Sequence, residues 1–248
     1  MKTKRKRLLC KRKRKNMSLH SKRKINPELI QAARAAKLIR TICCCGPIIM
    51  QRDRSRFRHL SKFILQHVIK SDKFNKAGQR RLLNGKLHLL ERYELDPDAL
   101  FSQHVRASHT SRIDWGSGKM SVYFPSFVPS LQINGPENAT HCRIIAVAAA
   151  LNFNYYNATI DAATSPIIPI TKKPVPAFTL NLQVPPKDGQ ALLLIMGITY
   201  FNKQTTYCNK PPICPAVQIV LVGYDPETKL YIPKSKKMHI MNFDEARA

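Results

Sequence analysis

The spacing of apolar residues changes once along this chain, close to Asp96-Pro97, and this change limits what the chain can fold into. Between residues 57 and 68, apolar side chains recur at spacings of three and four, as on one face of a helix. Between residues 177 and 184 they alternate with polar side chains, which is typical of a half-buried strand. The sequence therefore predicts an α+β fold, in which a small basic helical N-terminal region precedes an antiparallel β-sandwich (Ig-like) domain.

Three helices are predicted in the first part. Asn26-Pro27-Glu28 suits a helix start, because Asn can cap, proline fits the first turn and Glu complements the helix dipole. This helix should reach about Ile42, and a second should cover residues 53–70. A third is predicted over residues 77–92, although Gly85 within it lowers the helix propensity.

The second part is rich in Pro, Gly, β-branched and aromatic residues, and no helical pattern interrupts it. The predicted strands are 120–124, 141–151, 177–184, 191–201 and 216–222. The resulting organisation is a disordered basic tail (1–24), a basic helical region (25–93), an antiparallel β-sandwich domain (94–232) and a C-terminal tail (233–248).

Positive charge is concentrated in the first third of the chain. The formal net charge is +27, and residues 1–92 hold 28 Lys and Arg against four Asp and Glu, a charge of +24. If translation begins at Met17 instead of Met1, residues 17–92 still hold 18 basic residues against four acidic ones, a charge of +14. Such asymmetry predicts an anionic partner, which is nucleic acid, a membrane surface or an acidic protein.

The basic helices carry the strongest functional signal. Arg and Lys contacts to phosphates supply affinity that does not depend on sequence, and no helix-turn-helix or RNA-recognition signature is visible. The alternative to polyanion binding is a charged surface that is merely solvated. The predicted nucleic-acid-binding residues are Arg52, Arg54, Arg56, Arg58, Lys62, Lys76, Arg80 and Arg81.

The seven cysteines favour a reduced, cytoplasmic setting, since their number is odd and Cys43, Cys44 and Cys45 are consecutive. Three neighbouring side chains point in different directions and so hardly serve one zinc ion, and no metal or other cofactor is predicted. A disulfide between Cys208 and Cys214 is left open.

No catalytic centre is predicted. His141 and Cys142 are neighbours on a predicted strand, so their side chains should point to opposite faces of the sheet and cannot pair as base and nucleophile. Gly116-Ser117-Gly118-Lys119 lacks the upstream glycine of a phosphate-binding loop and is better explained as a turn. The longest apolar run near the N-terminus, residues 41–50, is too short for a membrane helix.

Several short motifs between residues 25 and 223 carry a family resemblance. They are residues 32–40, 76–80, 89–94, 125–129, 139–145, 197–201 and 216–220. On these motifs the chain resembles an uncharacterised family of Bacteroidetes proteins. The resemblance implies a helical front and a β-rich back but no activity, and the basic tail before Ile25 departs from the family pattern.

The leading hypothesis is a non-catalytic protein whose basic helical region binds a polyanion, nucleic acid without sequence specificity, and whose β-sandwich mediates protein contacts or self-association. The alternative is a structural or protein-interaction module, such as an assembly component, that does not bind nucleic acid. A third hypothesis is an enzyme with a dispersed site.

Overall fold

The computed structural model describes residues 26–45, 48, 54–185, 187, 189–202 and 214–224. The predicted basic tail, the predicted C-terminal tail, Arg52 and Cys208 lie outside these ranges. The helices are α1 (Pro27–Cys45), α2 (Arg54–Phe63), α3 (Phe101–His104) and α4 (Pro129–Gln132). The strands are β1 (Tyr93–Glu94), β2 (Thr110–Asp114), β3 (Lys119–Phe124), β4 (His141–Asn152), β5 (Asn157–Thr164), β6 (Ile168–Pro169), β7 (Phe178–Gln183), β8 (Ala191–Phe201) and β9 (Ala216–Tyr224).

Helix α1 begins where the sequence predicts. Asn26 Oδ1 accepts a hydrogen bond from the backbone N–H of Glu28 at 2.9 Å, so the Asn side chain caps the first turn. The helix continues past Ile42 to Cys45. Among the described residues, no helix is both long and apolar enough to cross a membrane.

The second predicted helix is present, but its geometry changes along its length. After α2, residues Ile64–Val68 form a π-helical turn, and Ile69–Ser71 form a 3-10 turn. Leu60, Ile64, Val68 and Ile69 are all fully buried. A wider π turn brings residues five apart onto one face, so Ile64 and Ile69 can both point inward, which an α-helix does not allow.

The prediction of a third helix over residues 77–92 is wrong. Two 3-10 turns, Leu82–Asn84 and Leu87–Leu90, replace it. Side chains from other elements accept hydrogen bonds from backbone N–H groups of this stretch. Leu82 N–H donates to Gln31 Oε1 at 2.9 Å. Lys86 N–H donates to Ser71 Oγ at 2.8 Å. Partners distant in the sequence therefore replace the helical ladder here.

The β part is an antiparallel structure of two sheets, as the coarse fold class predicts. The large sheet has the order β1-β9-β8-β4-β5, with β6 also paired to β4, and the small sheet has the order β2-β3-β7. The five predicted strands correspond to β3, β4, β7, β8 and β9, and their prediction is confirmed. The sequence did not predict β1, β2, β5 and β6.

The large sheet lies between the helical segment and the small sheet. In β4, Ile145 and Val147 belong to the cluster formed with α1, α2 and the turns that follow, which we call the helical layer (residues 26–92). Ile144 and Ala146 belong to the cluster formed with the small sheet. Both faces of β4 are thus covered, which explains its nearly continuous apolar sequence. The segment boundary predicted after residue 93 falls inside β1, which pairs with β9.

Candidate polyanion-binding surface

The exposed side of the helical layer is strongly basic. Nine described Lys and Arg side chains between residues 26 and 90 are exposed, and we call this set the basic face. Its members are Arg34, Lys37, Arg58, Lys62, Lys70, Lys73, Lys76, Arg81 and Lys86. The described acidic side chains of the same stretch, Glu28 and Asp72, are buried, and the next two residues, Glu91 and Arg92, are both exposed and offset each other.

The two buried carboxylates bind backbone groups. Glu28 Oε1 accepts the N–H of Gly78 at 2.6 Å and that of Arg80 at 3.4 Å. Asp72 accepts the N–H of Arg81 at 2.8 Å. Both carboxylates thus lie beneath the surface, and the exposed charged side chains described between residues 26 and 90 are all basic.

The pKa of Asp72 shows that this carboxylate is held in its charged form. Burial by itself raises the pKa of Asp72, but hydrogen bonds from Arg81 N–H, the Asn75 side chain and the N–H groups of Phe74 and Asn75 outweigh it. The net result is a pKa below the ordinary value. The loop between residues 72 and 81 is therefore organised around an ionised side chain.

The sequence-predicted residues fall into three groups. Four of them, Arg58, Lys62, Lys76 and Arg81, are exposed on the basic face. Arg80 is half-buried, and its Nε is buried without a hydrogen-bond partner among the described residues. Arg54 and Arg56 lie on α2, but their side chains, like the whole of Arg52, lie outside the described part.

The four exposed predicted residues come from two places, helix α2 and the loop after residue 72, and both of these contact helix α1. Helix α2 carries Arg58 and Lys62 and packs against α1. The loop that carries Lys76 and Arg81 meets the first turn of α1 through Glu28. Both groups are therefore attached to one helix, which has exposed basic residues of its own.

Five members of the basic face lie outside the set of predicted nucleic-acid-binding residues: Arg34, Lys37, Lys70, Lys73 and Lys86. The signal for the first two is spacing. Arg34 and Lys37 are three apart and stand opposite the buried Ala32, Ala35 and Ile39. The Arg34 guanidinium also lies 5.3 Å from the centre of the Tyr156 ring, which fixes it beside the turn between β4 and β5.

His141 and Cys142 do not form a catalytic pair. Cys142 is fully buried on the face of β4 that meets the small sheet, and burial raises the pKa of its thiol to about 12. A thiol with that pKa is not ionised at neutral pH, whereas the thiolate is the nucleophile. The His141 ring lies 2.9 Å from Thr140 Oγ1.

A second polar cluster joins Tyr200 and His104, two residue types that also serve as acids and bases in enzymes. Tyr200 Oη donates to the backbone carbonyl of Asn134 at 2.7 Å and lies 3.0 Å from Nδ1 of His104. Burial, with a smaller contribution from Cys142, raises the pKa of Tyr200. The phenol therefore stays protonated and acts as a hydrogen-bond donor that ties β8 to the loop after α4.

The described residues contain no group of three or more His, Cys, Asp or Glu side chains suited to hold a metal ion. Cys43 is fully buried at the end of α1, and the side chains of Cys44 and Cys45 lie outside the described part. The absence of a cofactor and of catalysis stays a prediction.

Two surface grooves in the described β part differ from the basic face. One, of about 650 Å³, lies on the small sheet, and its charged lining side chains are Arg112, Lys119, Asp114 and Asp161, which offset each other. The other, of about 510 Å³, is lined largely by prolines and by the exposed Ile167. The first groove has no excess positive charge, and the second has one charged lining residue, Lys173, so neither offers the many cations that a polyanion requires.

No protein-family model matches the chain, and no curated protein matches it significantly. The resemblance to a Bacteroidetes family stays a prediction.

Proposed function

We propose that this protein is non-catalytic and binds nucleic acid, without sequence specificity, through the basic face of its helical layer. The observation that supports the proposal most directly is the distribution of charge in the helical layer. Nine of the described Lys and Arg side chains between residues 26 and 90 are exposed, whereas the described carboxylates of that stretch are buried. A surface of one sign attracts an anionic polymer and releases its counterions on binding.

The spread of the charges over several elements supports a polymer as the partner. The exposed basic side chains come from α1, from α2 and from the loops after residue 69. A single small anion contacts two or three such groups, while a chain of phosphates can contact many at once. Phosphate contacts of this kind position a protein on nucleic acid but do not read its sequence.

The test uses the full chain, because the helical layer shares its buried cluster with strands β4, β8 and β9 and a helical fragment would expose that cluster. In the face variant, the four exposed predicted residues Arg58, Lys62, Lys76 and Arg81 are replaced by Gln. In the control variant, Arg106, Arg112, Lys172 and Lys173, which are exposed in the β part, are replaced by Gln. Both variants lose the same charge and keep the basic tail.

Affinity for random-sequence DNA and RNA, measured by fluorescence anisotropy at low salt, separates the possibilities. The proposal expects the face variant to bind more weakly than the control variant. Equal losses in the two variants, or no binding by the unaltered protein, would contradict it.

The alternative, a protein-interaction or assembly module without nucleic-acid binding, remains a second proposal. It is supported by large apolar side chains exposed in the β part, Leu131 and Ile167. Light scattering of nuclease-treated protein tests it: a stable oligomer that binds no oligonucleotide supports the alternative, and a monomer that binds oligonucleotides contradicts it. An Ig-like assignment, supported by two antiparallel sheets packed face to face, and a cytoplasmic location, supported by the cysteine pattern, remain proposals as well.

A further inference from the structure

Among the described Phe, Tyr and Trp residues of the helical layer, Phe74 is the most exposed. It is 77% exposed, whereas Ile69, Leu82 and Leu87 in the surrounding turns are fully or almost fully buried. Burying a Phe side chain is worth about 2 kcal/mol or more, so leaving one in water has a cost. Single exposed apolar residues are common on protein surfaces, so this ring bears on function only together with the loop and the charges around it.

The loop that carries Phe74 is held firmly. Asp72 Oδ1 accepts the N–H of Phe74 at 2.8 Å and that of Asn75 at 3.3 Å. Asp72 Oδ2 accepts the side-chain N–H of Asn75 at 2.8 Å and the backbone N–H of Arg81 at 2.8 Å. The backbone on both sides of the ring is thus anchored to one buried carboxylate, so the ring is presented to solvent by a fixed turn.

Positive charges flank the ring. Lys73 and Lys76 are exposed on either side of Phe74, and Arg81 is exposed at the far end of the same loop. An aromatic ring among Lys and Arg side chains is the combination that binds single-stranded nucleic acid, in which bases stack on the ring while the cations follow the phosphates. In a duplex the base faces are already stacked on each other and do not reach a side chain.

We propose that Phe74 is a stacking platform for an unpaired base, so that the basic face prefers single-stranded to double-stranded nucleic acid. This inference rests on the proposed function and specifies its substrate class. A membrane interface is the other surface that an exposed ring could enter. Apart from Phe74, however, the side chains between residues 73 and 81 are polar or small. One buried ring gives weak membrane attachment, whereas one ring is enough to stack one base.

The experiment uses the full chain and two labelled probes, a single-stranded oligothymidine and a blunt-ended duplex of equal phosphate number. Phe74→Ala removes the ring, Phe74→Leu keeps an apolar side chain without the ring, and Phe74→Tyr keeps the ring. Leu131→Ala is the matched control, because Leu131 is 75% exposed and lies in the β part. Circular dichroism confirms that each variant is folded.

The expected result is a selective loss. Phe74→Ala and Phe74→Leu bind the single strand about 5- to 150-fold more weakly, the fold-change measured for loss of one stacked base, and bind the duplex about as well as the unaltered protein. Phe74→Tyr and Leu131→Ala keep single-strand affinity.

Other outcomes overturn the inference in distinguishable ways. Equal losses on both probes, or single-strand affinity retained by Phe74→Leu, would show that stacking is not involved, while the proposed function itself would stand. No binding of either probe by the unaltered protein would contradict both proposals. Flotation with phosphatidylserine vesicles that Phe74→Ala abolishes and Phe74→Leu retains, with oligonucleotide affinity unchanged, would assign the ring to a membrane surface instead.

Discussion

The carboxylate of Asp72 accepts the backbone N–H of Arg81 at 2.8 Å and thereby closes a ten-residue loop on the outer side of the helical layer. The same side chain caps the turn at Phe74 and Asn75. One buried acidic residue thus fixes the backbone of a loop whose exposed side chains are basic and aromatic. This arrangement places the negative charge of Asp72 beneath the surface and the positive charges of the loop on it.

Replacing Asp72 by Asn should destabilise the protein. The amide offers one acceptor oxygen in place of two, and its NH₂ group cannot accept the N–H groups that Asp72 Oδ2 accepts. We expect a loss of about 1–3 kcal/mol in the free energy of unfolding at neutral pH, measured by urea denaturation. A variant as stable as the unaltered protein would show that the loop does not depend on this carboxylate.

The difference in stability between the unaltered protein and Asp72→Asn should depend on pH in the acid range. The pKa of Asp72 is lower in the folded chain than its ordinary value of 3.8, so its contribution is present above that value and is lost as pH falls through the folded pKa. The difference in unfolding free energy between the unaltered protein and Asp72→Asn should therefore be constant from pH 7 to about 5 and shrink below about pH 4. A difference that stays the same at pH 3 would contradict the assignment.

Gly85 should not tolerate a side chain. A Cβ at this position would collide with the carbonyl oxygen of Val68, where the chain passes over the end of the second helical segment. Since backbone must move, Gly85→Ala should cost about 1–3 kcal/mol in thermal or urea unfolding. Gly116→Ala is the control: its new Cβ would meet only Asp114 Oδ1, at 3.7 Å, and its effect should stay within about 0.5 kcal/mol. Equal effects at the two positions would contradict the packing described here.

The single tryptophan of the chain, Trp115, packs closely against Gly223, and its fluorescence can be used to test this contact. Trp115 lies over Gly223 so closely that a Cβ on Gly223 would overlap the indole ring. Gly223→Ala should therefore push the half-buried indole outward, shift its fluorescence emission to longer wavelength and cost about 1–3 kcal/mol of stability. An unchanged emission spectrum in the folded variant would show that the ring does not rest on this glycine.

The parts of the fold that the sequence predicts are those governed by local pattern. The start of α1 follows from Asn26, and strands β4 and β8 follow from long apolar runs that are covered on both faces. Strand β5 was missed because Asn157–Thr164 is mostly small or polar and forms an outer strand of the large sheet. The third helix was wrong because Gln31 and Ser71, far away in the sequence, satisfy the backbone N–H groups of that stretch.

The candidate site was predictable to a similar extent. The exposure of Lys62 agrees with its position between the buried Leu60 and Ile64, whereas Lys76 and Arg81 are exposed although the third helix predicted to carry them is absent. The exposure of Phe74 had no local signal, since sequence alone places an aromatic residue in the core by default. Its position depends on the bonds of Asp72, which join residues up to nine apart.

The salt dependence of binding tests the central claim most directly. For duplex DNA, each side chain that contacts a phosphate adds about one unit to the magnitude of the slope of log K against log salt concentration. The face variant, with Arg58, Lys62, Lys76 and Arg81 replaced by Gln, should have a slope up to about four units smaller than that of the control variant with Arg106, Arg112, Lys172 and Lys173 replaced. The control slope should equal that of the unaltered protein. Equal slopes for the two variants would place nucleic-acid binding outside the basic face and contradict the account.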